Sequence, residues 1–266
     1  MTDSTPTTPR RPSPRPAAKR SPAAKAPTLR RERDLMEAGA EFVIGCDEVG
    51  RGAIAGPVAV GVCIVDIRKR VPRGLRDSKL LSEKVRESLA PPVAGWAVGS
   101  AIGMSSNDEI DRFGLTIALG LAGSRAVIGL LEQGFELGGS ALILDGKFDY
   151  LTPALAREGV GSGPRVVTRI KADMDCASVS GASVLAKVAR DRLMIDHHEQ
   201  RPHYGWVSNK GYGSASHWAA IDQVGPSELH RHTWLRTPSL FDLGPSVDDQ
   251  GSERDVEAAF EGPSAG

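Results

Sequence analysis

The sequence predicts an α/β fold, a mixed β-sheet flanked by helices, and three observations carry that expectation. Short Val- and Ile-rich runs recur between residues 42 and 170, each bounded by glycine or polar loop residues. Two longer stretches place small and apolar side chains at helical spacing. The strands dominate the first half and alternate with helices afterwards, the pattern of a sheet with helices packed on it.

Phe42-Val43-Ile44 opens the first strand, and the glycine-rich GRGAIAG connection leads into a second over residues 57–65. Residues 96–103 (WAVGSAIG) read as a third strand. Ser106 and Glu109 have capping-box spacing, so a long helix is expected from there to about residue 132. Glycines at 114, 120, 123 and 129 count against its straightness. Residues 141–144 and 165–170 predict the fourth and fifth strands. A second helix is expected over 177–200, with Val179, Ala182, Ala186, Ala189, Leu193 and Ile195 along one side. Beyond Pro202 the chain is rich in Gly, His, Trp and Ser and shows no clear period.

The two ends differ from this middle. Residues 1–38 read as a Pro/Ala-rich arm, and its first 33 residues carry a net charge of +7. Residues 241–266 carry a net charge of −6. Both lack the apolar side chains needed to offset ordering entropy, so disordered tails are expected around a domain over 39–240. Lys plus Arg and Asp plus Glu each total 33 in 266 residues, so bulk charge announces no nucleic-acid partner. Three widely spaced cysteines, Cys46, Cys63 and Cys176, exclude a disulfide framework and a thiolate zinc site, and fit the cytoplasm. No apolar run approaches the ~20 residues that cross a bilayer, so no membrane is expected.

Four acids stand after predicted strands: Asp47 and Glu48 after FVIGC, Asp145 after ALIL, and Asp173 after VVTRIKA. A carboxylate there is expensive unless its charge is matched. Hard divalent cations prefer such oxygens, and a pair of ions about 4 Å apart can clamp both oxygens of a phosphoryl displacement. Taken alone, Asp145-Gly146 is more often a turn, and Asp173 a solvated loop residue.

At these residues the chain resembles the ribonuclease HII family over roughly 41–240. The resemblance rests on Gly45–Gly52 (GCDEVGRG) with Ala55-Gly56-Pro57-Val58, on Arg76–Ser82 (RDSKLLS), on Leu142–Gly146 (LILDG), on Lys171-Ala172-Asp173, on Gly181–Asp191 (GASVLAKVARD) and on Asn209–Gly213 (NKGYG). The family's usual KGD is KAD here, GAS replaces AAS, and the stretch His230–Trp234 departs from the family pattern.

The resemblance implies an RNase H-like sheet with a helical C-terminal portion. It further implies hydrolysis of the RNA strand in RNA–DNA hybrids and incision 5′ of single ribonucleotides in duplex DNA. Asp47, Glu48, Asp145 and Asp173 would bind Mn2+ or Mg2+, leaving 5′-phosphate and 3′-hydroxyl ends. Gly50, Arg51 and Gly52 would approach the ribose, and Tyr212 would pack on the neighbouring deoxyribose. Lys79, Lys187, Lys210 and Ser183 would meet phosphates, and the protein would act as a monomer. Each of these side chains also has an ordinary reading: a tight loop, a loop anchor, surface lysines, a helix-packing serine. Three other functions compete. An integrase-like nuclease lacks a GRG turn and a KGY loop. An ATPase needs a GxxxxGK[ST] loop, which the chain does not contain. A non-catalytic nucleic-acid binder has no need of the carboxylates.

Overall fold

The computed structural model describes residues 26–161 and 163–235. In chain order the elements are α1 (Arg30–Glu37), β1 (Val43–Val49), β2 (Val58–Ile64), a 3-10 turn (Ser78–Leu80), α2 (Glu83–Trp96) and β3 (Gly99–Ser105). Next come α3 (Asn107–Phe113), α4 (Leu115–Glu132), β4 (Ala141–Asp145), α5 (Leu151–Arg157) and β5 (Arg165–Arg169). The chain continues with α6 (Ala172–Asp175), α7 (Ala177–Gln200), α8 (Trp206–Asn209) and α9 (Ala215–Val224). The five strands expected from sequence all form, in the sheet order β3-β2-β1-β4-β5. The first three are antiparallel neighbours, while β4 and β5 run parallel to β1.

The parallel part decides where the acids go. Cys46 lies opposite Leu144 across β1 and β4, and Asp145 opposite Arg169 across β4 and β5. Three strands therefore deliver their C-terminal ends to one edge of the sheet. The expectation that Asp47 and Glu48 follow the strand needs correction, because β1 continues through both to Val49. Its pairing with β2, Asp47 to Gly61 and Glu48 to Val60, holds them in the ladder. Strand alternation then sends the two carboxylates to opposite faces.

Those faces are packed differently. Ile44 and Cys46 share a core with Leu119, Ala122 and Val127 of α4, so Glu48 points to that layer. Val43 packs with Val179 of α7, which places Asp47 on the other face. There α7 lies almost on the backbone: a Cβ on Gly45 would come within 2.1 Å of the Ser178 carbonyl carbon.

The expected helix over 106–132 is two helices. The capping box of Ser106 and Glu109 opens α3 as expected, but Gly114, at φ 80°, ends it and starts α4 in a new direction. α4 is 18 residues long and apolar enough to cross a membrane by length and composition alone. Half of it is buried, and it covers β2 and β3. The arm expected over 1–38 is also corrected. Thr28 bridges to Cys176, Leu35 is buried against Val43 and Ala141, and buried Glu32 accepts from the Ser178 amide at 2.9 Å. The folded unit thus starts before residue 39. The rest of the expected arm and the tail over 241–266 lie outside the described residues.

Gly45→Ala should lower the unfolding free energy by about 3 kcal/mol in urea titration, the upper end for overpacking. Gly52→Ala, with nothing within 4 Å of the added carbon, is the control. Equal stability of the two variants would mean that α7 can lift from the sheet at little cost.

Candidate metal centre and nucleic-acid interface

Asp47 is only 2% exposed, and its environment supplies little. Its Oδ1 accepts from the Glu48 amide at 2.9 Å, while Oδ2 has no partner. The Ser183 hydroxyl is near, but it donates to Ser78 Oγ at 2.8 Å. Burial, reinforced by the negative charge of Glu48, pushes the Asp47 carboxyl up to about 8. Glu48 on the opposite face is held by the Tyr150 hydroxyl at 3.2 Å and by Arg51 Nη1 at 2.8 Å.

Asp145 accepts from the Ala172 amide at 2.7 Å. Its carboxyl is raised by partial burial and by the charge of Asp173. Asp173 is not in an open loop as expected but in the first turn of α6, behind Lys171 at φ 58°. The missing family glycine is harmless here, because Ala172 has a helical backbone and is buried. Lys79 Nζ meets Asp173 Oδ2 at 3.3 Å. Asp77 is a fifth acid beside these four. It caps the turn bearing Lys79, accepting from the Lys79 amide at 2.9 Å, and its carboxyl is raised by burial and by Asp173.

The acids are therefore electrostatic neighbours whose charges oppose one another. Among the described residues, no three His, Cys, Asp or Glu side chains are arranged to hold an ion as they stand. Arg51, Tyr150, Lys79 and the Ala172 amide each hold one carboxylate apart. The orphaned Oδ2 of Asp47 and the all-oxygen donor set nevertheless fit a hard divalent cation, whose charge would favour the ionised forms.

Beside this centre, two loops form one unit. Gly50 at φ 87° turns the chain after β1, and Arg51 and Gly52 are exposed. Buried Arg231 donates to the carbonyls of Gly50 at 2.7 Å, Arg51 at 3.0 Å and Gly56 at 3.1 Å. Buried Arg190 donates to Pro57 at 2.7 Å, Ala55 at 3.1 Å and Lys210 at 2.9 Å. The Gly211 carbonyl accepts from the amides of Ile54 and Ala55, which joins the KGY loop to the GRG loop. Half-buried Tyr212 has Lys187 Nζ and Arg190 Cζ each 5.5 Å from its ring centre. Both arginines lie in stretches that were noted in the sequence, yet their scaffold role has no sequence period to reveal it.

The phosphate contacts expected from sequence divide. Lys79, 67% exposed, stands beside the acids in its pair with Asp173. Lys187 is turned inward to Asp191, which also pairs with Arg86. Lys210 is corrected: its ammonium is buried, bonded to Glu83 Oε2 at 3.1 Å and to the Val207 carbonyl. Ser183 is fully buried and links the DSK turn to α7, so it too is not a surface donor.

This arrangement has close counterparts in known proteins. The family model described as Ribonuclease HII matches residues 44–237. The chain belongs to the ribonuclease HII family. Ribonuclease HII of Streptomyces avermitilis is 43% identical over 215 residues, covering 80% of this chain and 86% of its own. That of Roseobacter denitrificans is 38% identical over 199 residues, covering 75% and 92%. Among solved structures, ribonuclease H2 from Pyrococcus horikoshii OT3 superposes with a TM-score of 0.57 at 27% identity, covering 73% of this chain and 93% of that one. Bst-RNase HIII in complex with Mn2+ gives 0.57 at 25% identity, covering 71% and 65%. The protein is a ribonuclease H, a divalent-metal-dependent nuclease that hydrolyses the RNA strand of RNA–DNA hybrids.

The position of Asp47 carries a pH signature. In the unfolded chain its carboxyl titrates near 3.8 and in the folded, cation-free protein near 8. The folded state binds more protons in that window, so stability falls as pH rises through it. Asp47→Asn should raise the unfolding free energy of the cation-free protein at pH 8 by about 1–3 kcal/mol, and change it little at pH 4. Equal effects at both pH values in chemical denaturation would contradict the buried, unpaired carboxylate.

Proposed function

We propose that this ribonuclease H also incises duplex DNA on the 5′ side of a single embedded ribonucleotide, leaving 5′-phosphate and 3′-hydroxyl ends. The observation that carries the reading is the joining of the Gly50-Arg51-Gly52 turn and the Tyr212 loop beside the acids. Backbone groups without Cβ beside them can approach a 2′-hydroxyl, which distinguishes RNA from DNA by donating and accepting together. Tyr212, held by the same scaffold, supplies an apolar face for the adjoining deoxyribose.

Asp47, Glu48, Asp145 and Asp173 would hold Mn2+ or Mg2+, with Asp47 Oδ2 the oxygen that lacks any protein partner. When bound, the cation supplies charge for the developing phosphorane and lowers the pKa of water for in-line attack. Arg51, released from Glu48, and exposed Lys79 are the cations of this chain placed to meet the strand's phosphates. Lys187 contributes through the Tyr212 ring rather than by a free ammonium. The three cysteines are free and buried, which supports action in the cytoplasm, and a monomer suffices because one chain brings all these groups together.

Duplex DNA carrying one ribonucleotide should be cut on its 5′ side in Mn2+ or Mg2+. No incision with either ion would overturn the proposal. Tyr212→Ala should slow that cut about tenfold relative to cleavage of a continuous RNA–DNA hybrid, the loss of ~1–2 kcal/mol of stacking. An equal loss on both substrates would argue against junction sensing.

A further inference from the structure

Behind the Tyr212 loop lies a pair of fully buried histidines that the hydrolysis does not use. His217 Nε2 and His230 Nε2 are 3.1 Å apart, and both residues are 0% exposed. The shortest contacts at their other ends assign the tautomers. The Ser227 amide can only donate, and it donates to His230 Nδ1 at 2.9 Å. The Ser227 hydroxyl and carbonyl lie farther from that nitrogen, at 3.0 and 3.3 Å, so the shorter amide contact puts the proton of His230 on Nε2. Trp206 Nε1 can only donate, and it donates to His217 Nε2 at 3.1 Å. His217 therefore carries its proton on Nδ1, which lies 2.9 Å from the Tyr212 carbonyl, a pure acceptor. The chain of donation runs one way: Ser227 amide, His230, His217, Tyr212 carbonyl. Burial lowers the affinity of both rings for a second proton, that of His230 to about 4. A second proton on His217 would set an N–H against the N–H groups of Trp206 and His230.

The ends of this chain are both tied to the ribose-side loop. Tyr212 bridges to Ala53, and His230 bridges to Ala55. The residue after His230 is Arg231, which grips the Gly50 and Arg51 carbonyls. One dipeptide thus holds the GRG turn by its arginine and, through His217, reaches the Tyr212 carbonyl by its histidine.

We propose that the His217–His230 pair is a positioning device that sets Tyr212 relative to the Gly50–Gly52 turn, and so governs selection of an isolated ribonucleotide over a continuous hybrid. The inference rests on the junction-sensing reading of Tyr212. Neither histidine touches the acids, so hydrolysis of a long hybrid, which presents a ribose at every step, depends on the pair much less. An apolar pair could fill the same volume, but it could not bond the Tyr212 carbonyl from inside the core. An Asn at 217 retains a donor near the position of Nδ1.

The test compares rates on single-ribonucleotide duplex and continuous hybrid for Tyr212→Ala, His217→Leu and His217→Asn. The proposal expects His217→Leu to lower the ratio about tenfold, as one buried hydrogen bond and a misplaced ring would do, with most of the ratio restored in His217→Asn. Equal losses on both substrates, or none, would overturn it and leave the junction reading standing. A Tyr212→Ala variant with an unchanged ratio would overturn the reading and the inference together. Should His217→Leu fail to fold, the Asn variant and 15N spectra of the wild-type histidines decide the matter. Protonated Nδ1 on His217 and protonated Nε2 on His230 at pH 7, with a His217→Asn ratio close to that of the wild type, support the relay. The opposite tautomers, or a His217→Asn ratio as low as that of Tyr212→Ala, overturn it.

Discussion

A carboxylate taken out of water needs a paired positive charge or several donors, and Asp47 has only the charge of Lys79 nearby and one amide donor. One oxygen is bonded to the next amide along the chain and the other to nothing. The burial follows from how closely α7 lies on β1, where Gly45 leaves no room for a side chain. The same packing sets Ser183, Ser78 and the Lys79 turn around the carboxylate. β1 and β4, running parallel, bring Asp145 alongside, and the turn after β5 adds Asp173. The sheet thus assembles a concentration of negative charge that is costly by itself and is relieved by a divalent cation. Stability is given up at the point where the nuclease needs affinity for the ion.

The substrate-facing side is built on a different principle. Besides the apolar packing of Ala55 against Met194, Tyr204 and Trp206, its loops are held by cations inside the protein that collect backbone carbonyls. The hydrogen bonds that Arg190 and Arg231 donate go to carbonyls, and burial, with Arg190 nearby, lowers Arg231 to about 9. Six carbonyl groups from two loops converge on these two side chains. Because each guanidinium is planar with fixed donor directions, the loops share one geometry rather than moving separately. A turn that must discriminate one hydroxyl gains from that rigidity.

Much of this was legible in the sequence, for reasons that can be named. The strands were found because Val and Ile runs are short and bounded by glycine, and α7 because its small residues keep helical spacing over 24 positions. The acids were found because they sit beside such runs. The break at Gly114 was visible only as a weakness, since a lone glycine is compatible with a continuous helix. α2 was hidden by Pro91 and Pro92, which lie inside it. α1 was lost in a basic, Pro-rich context, although Glu32 and Leu35 bind it to α7 and the sheet. Lys210 escaped the sequence for a simpler reason: sequence shows a charge but not its direction, and Lys210 points inward to Glu83 while Lys79 is exposed. Arg190, Arg231 and the histidine pair bond backbone atoms across long separations, and no local pattern encodes that.

The central claim is that Asp47 is protonated and unpaired until a cation arrives. Calorimetric titration with Mn2+ at pH 7, in buffers of different ionisation enthalpy, counts the protons released on binding. The account predicts release of about one proton in the wild type, because a carboxyl titrating near 8 must ionise to bind the ion, and a much smaller release in Asp47→Asn. Mn2+ binding to the wild type without proton release would contradict it.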